Sequence, residues 1–472
     1  MNKLTNKLIK KFSKRFNKNK TNKVFKNINT KTNFRNLVIK ADYIQSNQDK
    51  FTNQINIKTN ITNQHNSGRC WLFAMLNVIR LKMIDKYKIE NFELSENYLF
   101  FYDRLEKANY FFNIIAKNYK KDFINDVKII SILKDRTNDG NHWNMFSNLI
   151  NKYGIVPKDA MNDHFHSKNT RELNIFYNNF LSKMAQNIVI SLRKNPNLDI
   201  NKFINNILKD CYKILIIFLG EPPKKFDWEY YINNDAKDNT KDNTKDNTKD
   251  NTKDNLKLIK INNLTPLEFY KKYVNYNVND KICLINYPCK EYKYYKSYTI
   301  DGIPNFVGAK NINYINVPQN VIEKAIIKSI DNNEAIWCGI DWGKFNTKDY
   351  SVLDQNAFNY KDIFGFNNEM EKCDGLTYRQ STATHAVVIR GYNKNNNNII
   401  DKFKVENSHG NIFSEYKKFK YNGYYVMSND WFNKYLYIAV VDKKHLDKKV
   451  LDCIKRKPTI LPYYTPFGAL MH

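Results

Sequence analysis

Apolar residues fall at two different spacings along the chain, and the change from one to the other divides it. In the first half the spacing is helical. Leu4, Leu8, Phe12 and Phe16 recur every four positions and predict an amphipathic basic helix. Residues 42–66 are polar. From Trp71 to Ile84 the chain is apolar over most helical faces, which predicts a buried helix. Phe92 to Tyr119 is aromatic-rich and helix-compatible, with Ser95 placed to cap its start. His142-Trp143 through Tyr153 predicts another helix, stopped by Gly154 with Pro157 beyond. Residues 171–219 read as helical up to Glu221-Pro222-Pro223, Phe226 to Tyr231 reads as a strand, and Thr265-Pro266-Leu267-Glu268 opens a further helix. The pattern then changes. Lys281 to Tyr287, Ala335 to Trp342, Ala386 to Gly391, Phe403 to Glu406 and Tyr435 to Asp442 are short runs rich in Val, Ile, Tyr and Phe. They predict strands of an antiparallel or barrel-like sheet. A helical half followed by a β-rich half predicts an α+β fold.

One segment fits neither half. Residues 237–255 repeat Lys-Asp-Asn-Thr four times and then Lys-Asp-Asn. With no apolar residue and balanced charge they cannot join a core, so a disordered surface loop is expected. The rest of the 472 residues, 42% hydrophobic and 14% aromatic overall, suffice for a large core. Lys and Arg number 76 against 47 acidic residues, a net +29 that permits contact with nucleic acid, anionic membrane or acidic protein. The excess runs chain-wide, which favours a Lys- and Asn-rich composition swelling every solvated surface. Residues 1–41 hold 13 Lys and Arg and no acidic residue. They could be an organelle-targeting presequence, but a helix packing its stripe on the body is the preferred reading. No apolar run approaches the ~20 residues of a membrane span, Ile214 to Leu219 being far too short, and no hydrophobic secretory segment opens the chain. The seven cysteines, at 70, 211, 283, 289, 338, 373 and 453, form no C-x-x-C pair and are odd in number. That argues against a disulfide framework or a zinc cluster and suits a reducing compartment.

The candidate chemistry begins where the polar approach meets the apolar helix, at Gln64-His65-Asn66-Ser67-Gly68-Arg69-Cys70-Trp71. Cys70 falls on the first helical turn. Unpaired N–H groups and the helix dipole there favour an anion, so a lowered thiol pKa is expected. Gln64, six residues upstream across a turn containing Gly68, can bring an amide back to the same point. With the Cys70 backbone N–H it could hold a developing oxyanion. A reactive thiol also needs a base. Of eight histidines, His385 stands at the mouth of the buried run Ala386-Val387-Val388-Ile389. Asn407 lies 22 residues on, where Val405-Glu406 gives way to a polar turn. Its amide oxygen could accept the imidazole N–H and fix the tautomer.

The residues Gln64…Ser67-Gly68-Arg69-Cys70-Trp71, Thr384-His385-Ala386 and Glu406-Asn407-Ser408 resemble papain-like cysteine peptidases. His385 follows Cys70 by 315 residues, against about 130–150 in the papain type. The Arg and the long insertion point to the bleomycin hydrolase and bacterial aminopeptidase C branch. Asp139-Gly140…Trp143, Lys152-Tyr153-Gly154-Ile155-Val156-Pro157, Thr265-Pro266-Leu267-Glu268-Phe269-Tyr270, Glu334-Ala335-Ile336-Trp337 and the tail from Ile460-Leu461-Pro462 to Pro466-Phe467-Gly468-Ala469-Leu470 are similar to that branch. The resemblance implies a papain-like fold: a helical lobe, a β-barrel-like lobe, a large helical insertion and a C-terminal arm in the cleft. It implies one elaborated catalytic unit over 1–472, divided into an N-terminal arm or hook (1–60), the active-site helix region (61–100), a helical insertion (101–280) holding the repeat loop (235–258), a β-rich lobe (281–455) and the arm (456–472).

For the site it implies Cys70 as nucleophile, His385 as base and acid, Asn407 as orienter and Gln64 as oxyanion donor. Asp139, Gly140, Leu470, Met471 and His472 become the expected substrate-binding positions, the arm's carboxylate receiving a substrate ammonium. The implied function is removal of single N-terminal residues from peptides by a cytoplasmic homohexamer, with no metal or cofactor. Two departures stand out. His409 occupies a position where that branch usually has Trp, so an altered pH profile is expected. Met471-His472 overhangs the usual tail end, so self-trimming is expected. Two other readings use the same residues: a basic nucleic-acid-binding scaffold on the same fold, and an aminoacyl-transferase using the same thiolate.

Overall fold

The computed structural model describes residues 1–46, 49–134, 136–233, 256–302, 306–410 and 423–471, so the tetrapeptide repeat lies outside the described residues. A helix that is apolar all round can only be internal. The helix Cys70–Tyr87 is accordingly buried from Cys70 through Leu81 and again at Met83 and Ile84. It forms the seam of the molecule. The helices Glu96–Lys117 and Trp143–Tyr153 pack on one part of its surface, and the strands His385–Lys394 and Ile336–Ile340 on another.

The helices on the first side follow from local chemistry. Ser95 caps Glu96–Lys117, its hydroxyl accepting from the Tyr98 N–H at 3.1 Å. The helix Trp143–Tyr153 stops at Gly154, whose φ of 72° and close approach to the Pro266 carbonyl leave no room for a side chain. The predicted helical stretch 171–219 is two helices, Arg171–Lys194 and Ile200–Leu219, divided at Asn195-Pro196-Asn197 because Pro196 cannot donate within a helix. Each buries one stripe: Leu173, Tyr177, Leu181, Ala185, Ile188 and Leu192 in the first, Ile204, Ile207, Cys211, Leu215 and Leu219 in the second. Pro266–Tyr273 opens with a reciprocal capping box between Thr265 and Glu268. The strand predicted near Phe226 is Phe226–Asn233, paired antiparallel with Leu256–Leu264.

On the other side, twelve strands among the described residues form one sheet. From one edge, Thr459–Leu461 is followed by Lys296–Ile300, Tyr314–Asn316, Lys281–Ile285, Leu436–Asp442, Ile336–Ile340, His385–Lys394, Ile400–Glu406 and Tyr424–Ser428. Pairing is mostly antiparallel. All five predicted β runs are strands of this sheet.

Two expectations are corrected. The predicted N-terminal helix exists as Asn6–Lys18, followed by Lys20–Ile28, but neither buries a residue, and Leu4, Phe12 and Phe16 are exposed. The stripe does not pack on the body of its own chain, and burial begins at Val38, which packs with Ile44 and Phe358. Cys289 and Cys373 are joined in a disulfide. The fold lays the segment after Lys281–Ile285 beside the short helix Lys372–Thr377, a meeting of residues 84 apart that no cysteine spacing announces. The other five cysteines are free and buried. Among the described residues no helix is long and apolar enough to cross a membrane.

Candidate active site

The turn before Cys70 is built by hydrogen bonds that reach both forward and across the fold. Gln64 Nε2 donates to the Ser67 carbonyl at 2.7 Å, and Ser67 Oγ donates to the Gln64 carbonyl at 2.6 Å. An amide nitrogen carries two hydrogens, so this bond leaves one available. The Gly68 N–H donates to Asp139 Oδ2 at 3.0 Å, and a Cβ at Gly68 would lie 2.8 Å from the Asp139 Cβ, so only glycine fits. Trp71 Nε1 donates to the Asp139 carbonyl at 2.8 Å. Arg69 is buried and donates to Asp163 at 2.7 Å, anchoring the turn from below.

The imidazole comes from the sheet. His385 opens its strand opposite Ile340 and is buried. Its Nε2 lies 2.8 Å from Asn407 Oδ1. Asn407 follows the strand Ile400–Glu406 and is fully buried. Cys70 closes the set: the backbone N–H of Ala386, the residue after His385, acts on its sulfur and favours the thiolate. A second link runs between the two halves of the site: the Gln64 N–H donates to the Ser408 carbonyl at 2.9 Å, and the Gly410 N–H to the Thr62 carbonyl at 2.9 Å. The fold therefore brings Gln64, Cys70, His385 and Asn407 together.

Rings enclose the imidazole. Trp342 packs on His385 with centroids 4.9 Å apart, and His409 lies parallel to it at 5.6 Å and 4°. Burial pushes the Cys70 thiol up to about 11, against the lowering by the N–H groups of Ala386, Trp71 and Cys70 itself. Burial also pulls the His385 imidazole down to about 4, opposed by its bond to Asn407 and reinforced by His409. The expected fall in the thiol pKa is corrected. The helix start supplies its N–H groups, but removing sulfur from water outweighs them. Burial favours the neutral form of each group.

The remaining predicted positions divide. Asp139 is buried, and its carboxylate accepts from Gly68, Thr170, Asn174 and Arg104, so it is committed to the turn rather than open to a substrate. The Gly140 carbonyl accepts from Lys107 at 2.9 Å. The tail forms a 3-10 helix over Pro466–Met471, which includes Leu470 and Met471; His472 lies outside the described residues. Thr382 Oγ1 donates to the Pro466 carbonyl at 2.7 Å, which ties the tail to the segment leading into His385.

Sequence reasoning missed the group that fastens the two halves. Glu406 accepts from Arg80 at 3.1 Å and from Arg390 at 2.7 Å, all three side chains sealed from solvent. Arg80 belongs to the Cys70 helix, Arg390 to the His385 strand, and Glu406 precedes Asn407. The signal was present. An arginine inside an otherwise apolar helix must find a buried acceptor, because an unpaired buried charge costs several kcal/mol.

A thiol, an imidazole held by an amide, and a side-chain amide beside a helix start form the constellation of a cysteine-dependent hydrolase. The chain belongs to the Peptidase C1-like family, whose model matches residues 3–468. It is 34% identical to bleomycin hydrolase of Mus musculus over 419 residues, covering 87% of this chain and 86% of that one. It is 35% identical to aminopeptidase C of Listeria innocua over 411 residues, with the same coverage. Among solved structures it is similar to pepw from Lactobacillus rhamnosis, with a TM-score of 0.89, 31% identity and 99% of each chain covered.

Proposed function

We propose that this chain is a cysteine aminopeptidase that removes residues from peptide N-termini through an acyl-enzyme on Cys70. The observation that carries the reading is the 2.8 Å contact of His385 Nε2 with Asn407 Oδ1, with the N–H of the next residue, Ala386, acting on the Cys70 thiol. With Nε2 engaged, Nδ1 is the nitrogen that receives the thiol proton. Proton transfer from neutral thiol to neutral imidazole creates no net charge, so it remains accessible in a desolvated pair. The thiolate attacks the scissile carbonyl, and the Gln64 amide and the Cys70 N–H hold the oxyanion. His385 then protonates the leaving amine and activates the water that hydrolyses the thioester. Asn407 holds the ring in the productive tautomer.

The papain-like arrangement supports this reading as a single catalytic unit, with a helical lobe and a β lobe meeting at the Cys70 helix. So does the tether between Pro466 and Thr382, which keeps the C-terminal arm near His385. The arm from Leu470 to His472 receives the substrate ammonium and limits cleavage to the N-terminus. Assembly as a homohexamer follows from the same resemblance. The test is product analysis by mass spectrometry on a peptide with a free or an acetylated N-terminus. Stepwise loss of single residues from the free form alone supports the reading. Internal cleavage of both forms at equal rates refutes it.

A further inference from the structure

The disulfide lies away from the reacting atoms but joins the two walls that hold the C-terminal arm. Cys289 stands two residues beyond Tyr287, which stacks on Tyr292 at 4.0 Å and meets the Phe467 ring edge-on at 4.5 Å. Cys373 lies in the helix Lys372–Thr377. From there the backbone turns tightly, the N–H groups of Gln380 and Ser381 both donating to the Gly375 carbonyl at 2.9 and 3.1 Å. That turn presents Arg379 to the Tyr464 carbonyl at 2.6 Å and Thr382 to the Pro466 carbonyl at 2.7 Å. One wall therefore grips the arm by an aromatic side chain, the other by its backbone carbonyls. Lys372 secures the second wall to the sheet side through Gln319 and the carbonyls of Asn433 and Leu436. The Cys289–Cys373 bond is what ties it to the first.

We propose that the Cys289–Cys373 disulfide is a specificity-determining clamp: oxidised, it fixes the arm's seat and restricts cleavage to N-terminal residues, and reduced, it relaxes that restriction. The proposal rests on the aminopeptidase reading, in which the arm sets the length of the cleft. Cys373 is half-buried and Cys289 buried, so attack falls on the Cys373 sulfur. A dithiol reductant opens the bond by two exchanges. Its first thiolate forms a mixed disulfide, its second displaces the protein sulfur, and two protein thiols and one cyclic disulfide result. The displaced segments then hold the arm by separate contacts whose spacing is no longer fixed.

The experiment compares the full chain, purified without reductant, with the double variant Cys289→Ser/Cys373→Ser. Active sites are titrated first, so that rates refer to reduced Cys70. The readout is the ratio of kcat/KM on a free-amine peptide to that on its N-acetylated form. The ratio is expected to fall about tenfold or more in the double variant, through a higher KM for the free-amine peptide and new turnover of the acetylated one, with Cys70 alkylation unchanged. An unchanged ratio overturns the proposal, as does non-reducing peptide mapping that finds residues 289 and 373 unlinked. A native protein with no preference for the free amine overturns the aminopeptidase reading itself, a different result. Where the double variant does not fold, hydrogen exchange over 459–471 is compared in native protein before and after dithiothreitol. Faster exchange after reduction supports the clamp, and identical exchange overturns it.

Discussion

Arg80 donates to Glu406 at 3.1 Å across a sequence gap of 326 residues, inside the molecule, and so fastens the Cys70 helix to the strand that leads into Asn407. Arg390 engages the other carboxylate oxygen at 2.7 Å. This three-part contact joins the helix that carries the thiol to the strands that carry the imidazole and its partner. Replacing Glu406 with Ala removes the buried carboxylate that two guanidinium groups share, leaving Arg80 only the Asn60 carbonyl and a distant Glu93, and Arg390 only neutral acceptors such as Tyr424 and the Ile57 carbonyl. A stability loss of about 3–5 kcal/mol is expected, read as a shift of the denaturation midpoint, because an uncompensated buried charge is the costly state.

The oxyanion donor gives a cleaner kinetic prediction. Gln64→Ala removes the amide bond to the Ser67 carbonyl, but the turn keeps Ser67 Oγ on the residue-64 carbonyl, the Gly68 N–H on Asp139 and Arg69 on Ser67. Gln64→Ala should lower kcat by about 10²–10³ with the fold intact by circular dichroism. A loss below tenfold would mean that the backbone N–H groups suffice.

The pH profile follows from burial. The His385 imidazole sits at about 4, so it stays neutral and able to accept a proton well below the ordinary imidazole range. Activity is lost only as the pH falls through that value and the ring becomes charged. Placing a glutamine at His409 removes a neighbour that opposes the charge and loosens the enclosure of the ring. Both effects favour protonation, so the acid limb of kcat/KM against pH should move to higher pH in His409→Gln. A limb that stays in place or moves to lower pH contradicts this assignment.

Local chemistry was readable from the sequence. Ser95 and Thr265 cap helices, Gly154 ends one, and the stripes of the two long helices follow directly from side-chain spacing. The order Gln64, Cys70, His385, Asn407 was readable too, because each residue sits at a boundary between a polar turn and an apolar element. What escaped depends on distant segments meeting. The Cys289–Cys373 bond and the ring enclosure of His385 have no local signature, and Arg80 in an apolar helix signals a buried acceptor without naming Glu406 as that acceptor. The thiol pKa was misjudged for the same reason: the helix start is visible in the sequence, but the depth at which the fold buries it is not. The N-terminal stripe shows the converse, since amphipathic spacing predicted the helix Asn6–Lys18 but could not say what its apolar face meets.

The most direct test of the account is whether sulfur and imidazole act as one unit. A thiol held near 11 is slow to alkylate at pH 7 unless a neighbour removes its proton. The rate of Cys70 alkylation by iodoacetamide should therefore fall about 10²-fold or more in His385→Ala, with the variant folded. Equal rates in the two proteins would show that the sulfur reacts without the imidazole, and would contradict the proposed mechanism at its base.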